Sequence, residues 1–201
     1  MAAEHEAFFI RTDYLSAPHT QEIARQIEAA FASDAVFDAA HPLVFTDDEA
    51  AELLDCAEVF IAEQKAMQYL ARQEHSRFLL MQKLVKKSFT NEHIQKALDF
   101  LEATGSLSDM RYAEAFLHAR STQKSEGRTK LAAALASKGI GTAVAKKALA
   151  DFFENNPENA LAEKAVQKYQ RTHPKCTLQE YLLRNGFSYR LAKSKAERYP
   201  V

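Results

Sequence analysis

A chain of 201 residues with 47% hydrophobic and 26% charged side chains is long enough to bury one large core or two small ones. Five glycines and five prolines, set among abundant Ala, Leu, Glu, Lys and Gln, favour helix over sheet, and no apolar run approaches the roughly 18 residues of a membrane span. The net charge of −1 conceals a division: residues 1–65 hold three Lys/Arg against 14 Asp/Glu, and residues 66–201 hold 23 against 13. The basic part therefore calls for an acidic counterpart, which is nucleic acid, an acidic protein surface or the chain's own acidic segment.

The first residues, MAAEHEAFFIRTDY, carry acids early and lack the basic-then-apolar build of a signal peptide. Cys56 and Cys176 have no CxxC partner, so the expectation is a cytoplasmic protein with reduced, buried thiols. EAFFIR reads as a short strand and SAPHT as a loop or turn. Thr20 to Phe31 reads as a short amphipathic helix with Ile23, Ile27 and Ala30/Phe31 on one face. The chain should turn around Ala39–Pro42. Thr46-Asp-Asp-Glu49 is a capping box, followed by a helix with Leu53, Leu54, Ala57, Phe60 and Ile61 on one side. No Gly or Pro interrupts Asp47 to Ser76, which predicts one long helix or two nearly continuous ones.

Slid against itself, the rest of the chain shows three copies of one unit. Leu80, Leu131 and Leu178 align; so do Leu84, Leu135 and Leu182, then Phe89, Ile140 and Phe187, then Leu98, Leu149 and Ala196. Ser88, Gly139 and Gly186 precede the third set, where a helix end wants a left-handed residue, and Ser88 predicts a different ending in the first copy. Thr90, Thr142 and Ser188 are placed to cap the helices that follow. Asn156-Pro157 fits a cap followed by proline at the first helical position. The expected helices are 66–75, 76–87 and 90–104; then 108–122, 125–138 and 142–155; then 157–172, 177–185 and 188–198. The fold expected is all-α: tandem three-helix repeats forming an elongated curved molecule behind an acidic N-terminal extension. The divisions are 1–45 for the extension with a short helix, 46–107 for a lead-in helix and repeat 1, 108–156 for repeat 2 and 157–201 for repeat 3.

Nothing in the sequence argues for catalysis. The seven histidines are scattered without metal-ligand spacing, and no phosphate loop or GxSxG elbow is present. No cofactor is expected. The cations are more informative. Arg77, Arg128 and Lys175 each lie three residues before the first matched leucine, at the expected start of a middle helix where the dipole disfavours a cation. Each wants a partner: an acid of a neighbouring helix, or a phosphate or acidic protein surface. Lys83, Lys87, Lys130 and Lys138 extend the charge along the same helices and complete the candidate binding set. The aromatic residues of the basic half follow helical spacing and read as core, which argues against base stacking. Arg72 and Arg120 should end the first helices of two copies, where the dipole welcomes them.

The stretches LARQEHSR (70–77), D-x-x-YA-x-x-F-x-x-x-R (109–120) and GR-x-x-L-x-x-x-L-x-x-KGI (127–140) closely resemble the RecX regulatory proteins, and the resemblance runs from about Thr46 to the C-terminus. It implies an all-helical, non-catalytic modulator of the RecA recombinase. Such a protein lies in the groove of the RecA–DNA filament and suppresses ATP hydrolysis, strand exchange and the coprotease activity behind the SOS response. RecA filaments, the DNA within them and weak direct DNA binding are then the expected partners, with no membrane and a monomeric chain. A direct DNA binder and a helical adaptor for another protein are the alternatives.

Overall fold

The computed structural model describes residues 10–32, 45–172 and 174–199, and every regular element among them is helical. In order these are a 3-10 turn (Thr12–Tyr14), α1 (Ala17–Ala32), α2 (Asp47–Leu70), α3 (Arg77–Val85), α4 (Asn91–Ala103), α5 (Asp109–Gln123), α6 (Arg128–Ala136), α7 (Thr142–Asn155), α8 (Glu158–Thr172), α9 (Leu178–Arg184) and α10 (Tyr189–Arg198). The chain divides into two compact units, Met1–Gln68 with Met81–Ser106, and Tyr69–Leu80 with Leu107–Val201. No helix of the described residues is long and apolar enough to cross a membrane. The strand expected of EAFFIR falls mostly outside the described residues, as do the turn at Pro42 and the α1 side chains Ile27, Ala30 and Phe31.

The first unit is built on α2. Its start is the expected capping box: the Thr46 amide donates to Glu49 Oε2 at 2.8 Å and the Glu49 amide to Thr46 Oγ1 at 3.3 Å. The absence of a helix breaker is met by one helix of 24 residues, which stops at Leu70, so the separate 66–75 helix does not exist. Arg72 consequently lies in the turn beyond α2 and does not cap it. SAPHT is no loop either, because α1 begins at Ala17 and carries Pro18 in its first turn, where a missing N–H costs nothing. Leu15 and Ile23 pack with Leu53 and Cys56 of α2, and Val59 and Ala62 pack with Ala97 of α4. Arg11 clamps the buried Glu63 of α2 through Nε at 2.9 Å and Nη2 at 2.7 Å, and the Tyr14 hydroxyl donates to the same carboxylate at 2.8 Å. On α2, Asp55 accepts from Lys96 Nζ at 2.8 Å and pairs with His93 at 2.6 Å. Those contacts, led by the Lys96 hydrogen bond, hold the Asp55 carboxyl below its ordinary value. Part of the acidic segment's charge is thus neutralised inside its own unit.

In the second unit α5 to α10 close on one core that includes Leu117, Leu131, Leu135, Leu149, Leu161 and Leu182. The matched leucines 80, 84, 131, 135, 178 and 182 are all buried, as the repeat spacing requires. Two helix ends are Schellman closures: Ile140 N donates to Leu135 O and Phe187 N to Leu182 O, each at 3.2 Å, around left-handed Gly139 and Gly186. Ser88 takes the same left-handed turn, at φ 68°, with Lys87 N donating to Leu84 O and Ser88 N to Val85 O. Among the described residues, however, Phe89 N makes no Schellman bond to Leu84 O, so the first copy does end somewhat differently; the backbone accepts the strain of a side chain there.

Four other local expectations are corrected. Thr142 is the first residue of α7, not its cap; Gly141 holds that place, one residue earlier, with no side chain to bond. Asn156 does not cap α8, because its side-chain amide turns back to Phe152 O at 3.0 Å. α9 starts at Leu178 behind a Thr177–Glu180 capping box, so Lys175 sits in an exposed bend before the helix and not at its first turn. Cys176 is half-buried, less covered than expected, whereas Cys56 is buried.

Candidate functional site

Arg77, Arg128, Lys130 and Lys138, four of the candidate cations in the second unit, lie at two joints of the same design. At one, Ser76 Oγ donates to Lys138 O at 2.7 Å, and Gly139 lies so close that a Cβ there would stand 2.2 Å from that of Phe78. At the other, Gly127 N donates to Asn185 O at 2.8 Å and Thr129 N to Gly186 O at 3.2 Å; a Cβ on Gly127 would stand 2.4 Å from that same oxygen. In both, the start of a middle helix meets the Schellman end of the next one, and glycine permits the approach. These joints explain why the motif needs Gly127, whose φ of −83° makes no conformational demand.

The helix starts at the joints draw caps from outside, at α3 alongside its own Ser76, whose Oγ accepts from the Leu79 amide at 3.2 Å. The Arg77 amide donates to Asp109 Oδ1 at 2.8 Å, and the Arg128 amide to Glu158 Oε1 at 3.0 Å. Asp109 and Glu158 are themselves first residues of α5 and α8, so each acid lies near two positive helix ends. Acids therefore do stand beside the two arginines, and the groups they accept from are the backbone N–H groups. The Arg128 guanidinium lies over the Phe153 ring at 4.3 Å and remains exposed.

Beside the second joint, Glu126 is 3% exposed and accepts from Arg120 Nε and Nη2, the latter contact at 3.2 Å. Lys130 Nζ stands 3.4 Å from the same carboxylate and 3.0 Å from Asn185 Oδ1. Burial alone would raise the Glu126 pKa, but the Arg120 hydrogen bond and charge, with Lys130 behind them, hold it below the ordinary range. Arg120 is thus an ion-pair partner and not merely a cation at a helix end, and Lys130 is bound into the joint.

Of the seven candidate cations, Arg77, Arg128, Lys130, Lys138 and Lys175 lie in the second unit, and Lys83 and Lys87 in the first. Arg77 and Lys138 meet at one joint, Arg128 and Lys130 at the other; Lys175 stands apart from both in its bend. Between α6 and α7 an open groove of about 600 Å³ runs over Ala132, Ala136, Ala145 and Leu149, with Arg128 and Lys146 at its rim. Sequence spacing did not show the joints, because they depend on contacts about 60 residues apart, nor the groove, which arises from how the consecutive helices α6 and α7 lie against each other. Among the described residues no cluster of His, Cys, Asp and Glu could hold a metal ion.

Comparison with known proteins bears on this arrangement directly. Residues 62–101 match the first three-helix domain of RecX and residues 108–149 the second. The chain is 30% identical over 149 residues to the regulatory protein RecX of Treponema pallidum (strain Nichols), covering 74% of this chain and 91% of that protein. The chain belongs to the RecX family. Regulatory protein RecX of Streptococcus sanguinis (strain SK36) is 28% identical over 153 residues, 74% of this chain, and the chain spans only 59% of that relative's length. A crystal structure of a regulatory protein RecX shares the fold with a TM-score of 0.70 at 18% identity, over 85% of this chain and 87% of that one. RecX from Lactobacillus salivarius shares it with a TM-score of 0.58 at 22% identity, over 70% and 96%. The two joints link the second RecX domain to the segments on either side of it in the chain, residues 76–78 and 185–186.

Proposed function

We propose that this chain acts on the RecA recombinase, lying in the groove of the RecA–DNA filament and restraining ATP hydrolysis, strand exchange and coprotease activity. It works by binding, as a cytoplasmic monomer without cofactor or chemistry of its own. Membership of a family whose curated relatives are named regulatory proteins carries this reading. The surface chemistry supports it. Arg77, Lys83, Lys87, Arg128, Lys130, Lys138 and Lys175 are the contact set, with Arg128, Lys87 and Lys175 exposed and the others partly covered. An apolar groove edged by Arg128 and Lys146 offers a floor for apolar side chains flanked by carboxylates, the mixed character of a protein interface.

Co-sedimentation tests the reading. RecA filaments assembled on single strands with a nucleotide analogue that is not hydrolysed should carry the chain into the pellet. A triple substitution K87E/R128E/K175E should leave more of it in the supernatant. A chain that stays soluble beside intact filaments contradicts the proposal.

A further inference from the structure

The geometry points to a phosphodiester-binding cleft between the end of α5 and the outer face of α8, made by Lys164, Lys168 and Arg171. None of these belongs to the cation set singled out above. An open cleft of about 490 Å³ is lined there by those three cations with Gln123, Ser125 and Gln167. The spacing i, i+4, i+7 puts the three cations on one helical face over roughly 10 Å of rise, beside the stripe that buries Leu161, Ala165 and Tyr169.

Two observations separate this row from an ordinary solvated helix face. The acids of α8 are engaged elsewhere: Glu158 accepts from the Arg128 amide, and Glu163 accepts from Lys195 and from the Tyr199 hydroxyl at 3.0 Å. Glu126, near the end of α5, is held by Arg120. Lys164, Lys168 and Arg171 are exposed, with no carboxylate among the described residues in ion-pair reach. The helix dipole accounts for Arg171 in the last turn but not for Lys164 or Lys168, which lie before it. Uncompensated cations lining a concave surface concentrate anions.

The lining decides which anion. Ammonium, guanidinium, amide and hydroxyl groups all suit phosphate oxygens, and no aromatic ring lines the cleft to stack a base. An acidic protein segment would need apolar anchors, and the cleft presents no apolar side chain. The ligand is therefore a nucleic-acid backbone, held without regard to sequence. This contact does not depend on RecA being the partner.

The test uses the full chain without RecA and a fluorescent 20-nucleotide oligo-dT, followed by anisotropy between about 50 and 300 mM NaCl. With about 0.7 per phosphate contact, the log–log salt slope should be near −2 for three contacts. K164A/K168A/R171A should weaken binding about tenfold or more at the lowest salt and bring the slope close to zero. Alanine suits an exposed helix interior, and superimposable circular dichroism checks the fold. The charge-retaining K164R/K168R/R171K should bind as the parent does, which keeps the test valid if the alanine variant misfolds. Parental affinity in the alanine variant, loss of binding in the charge-retaining one, or displacement by poly-glutamate as effective as by unlabelled oligo-dT would each overturn the assignment.

Discussion

At the scale of single residues, the second joint concentrates both charge and crowding, and both make testable demands. Glu126 has its folded-state pKa depressed below the ordinary 4.5 by Arg120 and Lys130 against the opposing effect of burial. Its contribution to stability is therefore complete above about pH 4.5 and is lost as pH falls through the lower folded value. Glu126→Gln should cost about 1–3 kcal/mol at pH 7, and that gap should narrow as urea titrations move below pH 4.5. A gap that is constant with pH would refute the pairing. Crowding is tested at Gly186, where φ is 83° and a Cβ would stand 2.4 Å from the Lys130 amide nitrogen. Gly186→Ala should lower stability by about 1–3 kcal/mol in urea unfolding. Ser88, left-handed at φ 68°, should answer in the opposite direction, Ser88→Gly gaining about 1 kcal/mol.

The helices themselves depend on caps that reach across the fold. Asp109 supplies the α3 amide cap and Glu158 the α6 cap, so their mutation acts on helices other than their own. Asp109→Ala should cost about 0.5–2 kcal/mol, with faster hydrogen exchange in the first turn of α3. Unchanged exchange at Arg77 and Phe78 would contradict the cap. Most element positions were legible beforehand because the leucine spacing is regular and the breaks carry Ser, Thr or Gly. The capping boxes at Thr46 and Thr177 show why: side chain and backbone partner lie three residues apart, so the contact is local in sequence. The misses have equally physical causes. Thr142 is displaced by one residue from the repeat register, and Asn156 prefers the free carbonyl behind it. Lys175 was placed by counting back from Leu178, but the strong Thr177–Glu180 cap starts α9 after it. Arg120 could be read only as a favourable cation, since its partner Glu126 becomes buried through contacts with the next segments.

For the whole molecule, the division between an acidic first third and a basic remainder is plain from the sequence, but which cations face a partner is not. Lys130 illustrates the difficulty: it looked like one more surface charge, and it bridges Glu126 and Asn185. Lys164, Lys168 and Arg171 looked ordinary, and they line a cleft with no carboxylate among the described residues in ion-pair reach. Pairing within the fold decides which charges remain available to a partner, and that pairing is set by tertiary contacts. The charges left outside it predict association that weakens with salt. The most direct measurement of the proposed regulatory role is the single-strand-dependent ATPase activity of the cognate RecA, titrated with this chain. The account predicts inhibition well below one chain per RecA, at chain concentrations too low to occupy the naked strand. ATPase activity that stays unchanged until the strand itself is saturated with the chain would contradict it.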